Sequence, residues 1–420
     1  MVTVLHRMIV AAVATMFLVS ATALADDISE VKGSLFIAGG ELRYDNAPVW
    51  ECFRRLAGGK GAKVIVVPAA SSEPERISQT DVENFRHYGL KADVVPIAPK
   101  WTEREVTYKA AAADPANVDK LRRADGIWFC GGDQTRITRA LLETDGKKTP
   151  ALEAIWEAYR KGAVIGGTSA GTAIMSMQMF TDPKAPLNML KYGIAKEDVG
   201  PGLGFVGDEW FVDQHFLVRG RFARALRAID YLGYQYGIGV DEDTALVLKE
   251  GKFEVIGYKG ALVLNRARAE TDAHLGEFNL KGVRLTYLDS GDSMDVRTRE
   301  VKVSAGKQAG KKLEPGSKDF HPYYGSKVET FPDMLSSWAV YTAMYHVIDS
   351  RGGVAEGIAL DPWDKGIKGD LGFKFRFYRC GDTDGWFSNK NGNSSYTVRN
   401  VYLDITPVRL AKPLYKPLMP

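Results

Sequence analysis

The sequence predicts an α/β protein: a mostly parallel sheet flanked by helices, followed by an appended C-terminal β-rich unit. Three observations lead there. Between Gly33 and Gly171, short runs that are apolar throughout alternate with helical patterns, as strands covered on both faces of a parallel sheet do. Two of these runs end in glycine-rich turns, Cys130-Gly131-Gly132-Asp133-Gln134 and Gly166-Gly167-Thr168-Ser169-Ala170-Gly171-Thr172. On such sheets, ligands bind outside the carboxyl ends of the strands. Beyond residue 180 the alternation gives way to short strands with few helices.

Taken in order, Ser34 to Ala38 reads as a strand. Asn46 then caps a helix whose apolar face is Val49, Cys52, Phe53 and Leu56, stopped by Gly58-Gly59. Lys63 to Pro68 is a buried strand, and a helix follows from about Glu73 to Tyr88. Asp93 to Ile97 is a strand, with a helix near Val118 to Ala124. Gly126 to Cys130 is a strand, with a short helix starting at Asp133. Thr149-Pro150 caps a helix that carries Leu152, Ile155, Trp156 and Tyr159 on one face and ends at Gly162. The strand Ala163 to Gly167 leads through the second glycine-rich turn into a helix from Ala170 to about Met179.

Phe211 to Phe216 reads as a strand end, followed by an arginine-rich helix from about Arg219 to Tyr231. Strands Gly237 to Val240 and Thr244 to Leu248 flank the acidic turn Asp241-Glu242-Asp243, and short strands continue to about Val301. Residues 305–317 read as a linker or exposed loop. The last hundred residues offer a helix from about Met334 to Asp349 and strands around Phe373, Phe375 and Phe377 and from Tyr396 to Ile405. A loop rich in Gly, Asp and Asn, Gly381 to Asn393, separates the two strands.

The chain has 420 residues, 45% hydrophobic and 25% charged, which suits a globular protein of two domains. A formal net charge of +3 gives no basis for a nucleic-acid or membrane-surface partner. His6 and Arg7, the apolar run Met8 to Ala21 and Ala23-Leu24-Ala25 before Asp26-Asp27 have the layout of a cleaved secretory signal peptide, residues 1–25. The mature chain is therefore expected outside the cytoplasm, in the periplasm or the medium, with no membrane association after cleavage. Cys52, Cys130 and Cys380 show neither a disulfide framework nor a metal pattern; Cys52 and Cys130 read as core thiols.

Gly167-Thr168-Ser169-Ala170-Gly171 fits the G-x-S-x-G pattern of a nucleophile elbow, where a sharp strand-to-helix turn presents one hydroxyl above the sheet. Helix N–H groups behind it favour a developing oxyanion. The pattern is short, and an ordinary glycine-rich βα turn fits it equally well. A serine nucleophile needs a base and a group that orients the base. The mature chain has five histidines: His87, His215, His274, His321 and His346. His215, in Asp213-Gln214-His215-Phe216 at a strand end, is the best placed. Glu242 is the best orienting carboxylate, with Asp241 and Asp243 as neighbours in competition. The rival order Ser, acid, His would use Ser169, Asp243 and His274 or His321, neither of which has strand-end character.

Four blocks occur here in one order: Gly131-Gly132-Asp133-Gln134, Gly167-Thr168-Ser169-Ala170-Gly171, Asp213-Gln214-His215-Phe216 with Arg219, Arg221 and Arg224, and Gly237 to Ala245 with Asp241-Glu242. In order and spacing they resemble the cyanophycinase group of serine peptidases, the S51 or peptidase E family. The resemblance covers roughly residues 33–302, including Val67 to Ser72 and Leu288 to Asp292. The signal peptide and long C-terminal extension are similar to those of the secreted members.

That resemblance implies a class I glutamine-amidotransferase-like, flavodoxin-like fold, with residues 26–302 as the catalytic domain and 303–420 as a β-rich extension. It implies Ser169 as nucleophile, His215 as base and Glu242 as orienting acid, with no metal or organic cofactor. It also implies hydrolysis of the β-aspartyl–arginine link of cyanophycin, a poly-aspartate carrying an arginine on each side-chain carboxyl. It leaves room for a homodimer. Beside it, Gly132, Asp133 and Ala170 are the expected oxyanion donors, and Gln134 and Gln214 are expected to hold polar groups of the substrate. Arg221 and Arg224, one helical turn apart, are expected to bind a substrate carboxylate together. Aspartyl peptides fit the same cationic pocket, so an extracytoplasmic aspartyl dipeptidase is the second reading. A non-catalytic protein that binds acidic ligands is the third.

Overall fold

The computed structural model describes residues 31–102, 106–390, 393–411, 413–414 and 418. The expected secretory segment, residues 1–25, lies outside them. The chain divides into two compact units. One takes the chain up to Ile37, Tyr44–Thr181 and Gly200–Glu209; the other takes Ala38–Arg43, Asp182–Val199 and Trp210 onward. Among the described residues, no helix is long and apolar enough to cross a membrane.

The first unit carries β1 (Ser34–Ala38, whose last residue belongs to the other unit), α1 (Ala47–Leu56), β2 (Lys63–Val67), α2 (Pro74–His87) and β3 (Lys91–Val94). Next come α3 (Tyr108–Ala113), α4 (Pro115–Arg122), β4 (Gly126–Phe129), α5 (Gln134–Leu141), α6 (Pro150–Lys161), β5 (Val164–Thr168), α7 (Ala170–Ala173) and β6 (Gln178–Phe180). Its strands lie in the order β1-β5-β4-β2-β3, and β3, β2, β4 and β5 pair in parallel. This is the parallel sheet with helices between its strands that the alternating pattern predicts. The strands are apolar because both faces are covered: Phe36, Phe53, Trp50, Phe85 and Trp128 form one aromatic cluster against them. The start of α6 follows its sequence. Thr149 accepts the Leu152 N–H, Pro150 supplies the first turn, and Gly162 ends the helix at φ +125°.

The helix expected from Ala170 to Met179 is much shorter. It ends at Ala173 because the carbonyls of Ile174, Met175, Ser176 and Met177 accept N–H groups of residues 202–206, which pulls the chain out of helical pairing. The third strand also sits earlier than expected, at Lys91–Val94. Its register, Lys63↔Lys91 to Val66↔Val94, is set by β2.

Short pieces β7 (Val199–Pro201) and α8 (Pro186–Tyr192) lie in the region between the glycine-rich turn and the second half of the chain. The second unit then holds β8 (Trp210–Gln214), α9 (Phe222–Leu232), β9 (Tyr236–Val240), β10 (Thr244–Lys249), β11 (Lys252–Gly257), β12 (Ala261–Asn265), β13 (Leu280–Leu288), β14 (Ser293–Asp295) and β15 (Val301–Lys302). It continues with α10 (Ala305–Gln308), β16 (Lys311–Leu313), β17 (Glu329–Phe331), α11 (Ala339–Ile348), β18 (Val354–Ala359), β19 (Leu371–Tyr378), β20 (Asp384–Lys390) and β21 (Asn393–Arg409). β8 and β9 pair in parallel, so both end on the same side. The sheet runs on through β12, β13, β21, β19, β18 and β17.

The described part of residues 303–420, expected as an appended unit, lies in the same compact unit as residues 210–302. The reason is β21, which pairs along β13 from Leu280↔Ile405 to Tyr287↔Val398. Two local expectations change. The stretch 305–317 contains α10 and β16 rather than only a linker. The Gly381 to Asn393 loop is largely strand β20, which forms a hairpin with β21. Cross-strand partners outweigh the weak strand propensity there: Asp384 faces Arg399 and forms an ion pair with it.

Candidate active site

In the first unit, Ser169 sits between β5 and α7 at φ +53° and ψ −107°. A non-glycine residue there carries roughly 1–3 kcal/mol of backbone strain, and such strain collects at functional positions. The flanking glycines make the turn buildable. A Cβ on Gly167 would stand 2.4 Å from the Gly171 carbonyl oxygen, and one on Gly171 would stand 2.4 Å from that of Phe129. The pattern is therefore steric: the backbone of α7 folds directly onto β5 and β4. Gly131, at the end of β4, comes close as well, since a Cβ there would touch Cβ of Ser169 at 3.4 Å. The two glycine-rich turns singled out in the sequence thus meet at Ser169.

The expected oxyanion donors do not all survive. The Asp133 N–H donates to the Ala70 carbonyl at 3.0 Å, and its carboxylate caps α5 by accepting the Thr135 N–H and hydroxyl. Asp133 is thereby corrected from donor to helix cap. Among the described residues no backbone partner is found for the N–H groups of Gly132 and Ala170. Gln134, expected to bind substrate, donates its amide to the Phe180 carbonyl at 2.8 Å.

In the second unit, His215 follows β8 at φ +47° and is buried, 4% exposed. Its N–H donates to the Gly39 carbonyl at 2.7 Å, and its Nδ1 lies 2.6 Å from Oε1 of Glu242, just after β9. Burial pushes the imidazole pKa below its usual value; the bond to Glu242 opposes this, while Arg219 and Arg221 reinforce it. The ring lies flat against Gly40, where a Cβ would come within 2.2 Å of Cε1 and where φ is +109°. Only glycine fits this position. Sequence reasoning passed over it, although the pair Gly39-Gly40 at the end of β1 was the available signal.

The acidic turn resolves into three different roles. Asp241 is buried and accepts the N–H groups of Leu217 and Val218, which fixes the chain just past His215. Burial pushes its carboxyl up to about 7. Asp243 binds Arg43 through its backbone N–H and, at 2.8 Å, its guanidinium. Glu242 is the member of the turn that reaches the imidazole. Arg219 also contacts Glu242, at 3.3 Å, and Glu41, at 3.8 Å.

Arg221 and Arg224 do not form a joint anion site. Arg224 is buried and grips Asp213 with two hydrogen bonds, 2.9 and 2.7 Å, so the pair locks α9 onto β8. This partner was not foreseen. Arg221 donates one nitrogen to the backbone and side-chain oxygens of Gln214 at 2.9 and 2.7 Å. Burial lowers its pKa to about 10, so it stays a cation at neutral pH. No carboxylate pairs with it among the described residues.

The other histidines stand elsewhere. His274 is exposed in a single turn capped by Asp272. His321 and His87 are exposed, and His346 stacks against Tyr324 and Tyr345. Cys52 and Cys130 are free and buried; Cys380 is free and exposed. Glu41, His215 and Glu242 bring ligand atoms within 4.8 Å of one another, the geometry of a metal cluster among the described residues. The Arg219 guanidinium already contacts both carboxylates, so that cluster has its own cation.

A serine held at positive φ in a strand-to-helix turn and a histidine oriented by a glutamate are the components of a serine-type hydrolase. Comparison with known proteins gives the particular group. Residues 35–256 match the family model of peptidase family S51. The chain is 30% identical over 282 residues to the cyanophycinase of Synechococcus elongatus, covering 63% of this chain and 79% of that one. It is 31% identical over 274 residues to the cyanophycinase of Geminocystis herdmanii, covering 63% and 94%. Among solved structures, a peptidase from an acI-B1 Actinobacterium aligns at a TM-score of 0.46 and 21% identity, over 63% of this chain and 98% of that one. The chain belongs to peptidase family S51 and is a serine-type peptidase.

Proposed function

We propose that this peptidase is exported and hydrolyses the β-aspartyl–arginine amide of cyanophycin, releasing β-Asp-Arg. The relatives that support the substrate bear the name cyanophycinase. The observation that carries the chemistry is the 2.6 Å contact between His215 Nδ1 and Glu242, with Asp241 and Asp243 engaged elsewhere. With Nδ1 turned to the carboxylate, Nε2 takes the base role. His215 removes the Ser169 proton as the oxygen attacks the aspartyl β-carbonyl. The N–H groups of Gly132 and Ala170 receive the oxyanion, each such donor lowering the barrier by about 3–4 kcal/mol. The protonated imidazole then gives its proton to the leaving arginyl nitrogen. Water, deprotonated by the same ring, cleaves the acyl-enzyme and restores the Ser169 hydroxyl.

The acyl part of this substrate carries an α-carboxylate beside the scissile amide. Arg221, a half-buried cation held by Gln214 and without a carboxylate partner among the described residues, suits that group. Export rests on residues 1–25 and predicts a mature N-terminus at Asp26. The test is to incubate purified mature protein with cyanophycin granules and with α-Asp-X dipeptides, beside Ser169→Ala. Release of β-Asp-Arg by the parent alone supports the reading. Cleavage of the dipeptides with the granules untouched replaces it with the dipeptidase reading.

A further inference from the structure

The second unit contains a cleft of about 670 Å³ that the proposed chemistry does not use. Its wall is aromatic: Tyr323, Tyr324, Tyr341, Tyr345, Tyr396 and Phe387. The rings form a connected array, with Tyr345 stacked on Tyr396 at 5.0 Å and on Tyr324 at 6.0 Å, and Phe387 against Tyr396 at 4.9 Å. Tyr396 is buried in this array, Tyr324, Tyr341 and Tyr345 are half-buried, and Tyr323 is 79% exposed at its edge.

The lining also holds two charged groups, Asp349 and Lys311, and two neutral polar ones, Asn389 and Ser394. Asp349 is 3% exposed and ends α11; one oxygen accepts the Tyr323 N–H at 2.9 Å and the other the Tyr396 hydroxyl at 3.2 Å. No lysine or arginine pairs with it among the described residues. The nearby imidazole of His346 has its pKa lowered by burial, so it supplies little compensating charge at neutral pH. A buried carboxylate is costly unless a cation pairs with it. Lys311, itself a lining residue, is exposed, and its ammonium donates to the His321 carbonyl at 2.7 Å.

We propose that this cleft is a non-catalytic binding site for an arginyl unit, its guanidinium entering among the tyrosine rings toward Asp349 and its free α-carboxylate meeting Lys311. A guanidinium is planar, weakly hydrated, stacks on aromatic faces and bonds a carboxylate through parallel N–H groups, so it satisfies both parts of the lining at once. A neutral sugar would use the rings but leave the carboxylate uncompensated. Naming a polymer-borne arginine as the source rests on the cyanophycin reading; the preference for a guanidinium does not. On a polymer that carries one arginine per aspartate, such a site anchors the chain without reacting with it.

The test uses calorimetric titration of full-length mature Ser169→Ala protein with L-arginine, agmatine, L-citrulline and a neutral oligosaccharide. Arginine and agmatine are expected to bind, with citrulline about tenfold weaker or worse, as loss of one charge-assisted contact gives. Asp349→Asn, added to that background, should weaken arginine to the same degree. Lys311→Gln should weaken arginine and leave agmatine, which has no carboxylate, unchanged. Tyr323→Ala, at an exposed ring, weakens both and serves if Asp349→Asn fails to fold. Equal binding of citrulline and arginine, preference for the sugar, or unaltered arginine affinity in folded Asp349→Asn and Tyr323→Ala overturns the proposal. Cyanophycin turnover by the parent, measured alongside, separates the two readings. Turnover with unaltered arginine binding in the variants removes the cleft alone. Asp349-dependent arginine binding in a protein that leaves cyanophycin intact removes the substrate reading alone.

Discussion

Ser169 and His215 are held by the same backbone device, a positive φ just past a strand, yet the space around each is made in opposite ways. At Ser169 the clearance is local: Gly167 and Gly171, two residues to either side, let α7 lie on β5 and β4. At His215 it is remote: Gly40, far back in the chain, leaves room for the ring, and Asp241 ties down the following residues. Surroundings that are contiguous, as at Ser169, leave a sequence pattern. Surroundings assembled from three distant segments, as at His215, leave only isolated residues.

The two turns therefore break differently. The largest effect belongs to the proposed nucleophile: Ser169→Ala should lower kcat about 10⁶-fold with the fold intact by circular dichroism. A loss below tenfold would remove Ser169 from the reaction. Next is the proposed orienting acid. Glu242→Gln should lower kcat about 10⁴-fold, since the imidazole loses its charged partner, whereas Asp243→Asn, bound to Arg43, should change kcat little. Reversal of that ranking would reassign the acid.

The remote clearance comes third. Gly40→Ala puts a Cβ where the imidazole lies, at a φ alanine adopts at a cost of about 1–3 kcal/mol. Chemical denaturation should register that loss together with a drop in kcat, while KM moves less. Wild-type kcat in Gly40→Ala would show that the ring is held some other way. The smallest effect is a shift in pH dependence. As the proposed base, His215 must be neutral, and burial lowers its pKa, so the acid limb of kcat/KM should fall below the ordinary histidine range. Arg219→Gln removes a cation that lowers this pKa, so its acid limb should move upward. By linkage, a group whose folded pKa is depressed contributes stability above its unfolded pKa and loses it as pH falls, so acidification should also weaken the fold.

This contrast explains what the sequence made legible. The parallel sheet followed from strands apolar throughout, and the elbow from glycines whose spacing the backbone geometry demands. His215 and Glu242 were legible as a strand-end base and its best-placed orienting carboxylate, with Asp241 and Asp243 in competition until four ordered blocks set them beside a family. Asp213 stood two residues before His215 in the same block as Arg224, but its pairing with Arg224 joins a strand to a helix across eleven positions, and helical spacing alone pointed Arg224 toward a ligand. Asp133 misled in a similar way: the strand-end turn was right, and the N–H it was credited with is taken by Ala70. Strand β20 was hidden because Gly, Asp and Asn signal turns, while its stability comes from β21 and the Asp384–Arg399 pair.

In the proposed mechanism Ser169 acts through His215. A fluorophosphonate that labels activated serines, followed by peptide mapping, tests this most directly. A single adduct on Ser169, formed by the parent and by His274→Ala and lost in His215→Ala, is the predicted result. An adduct on another serine, or equal labelling of Ser169 in His215→Ala, would contradict it.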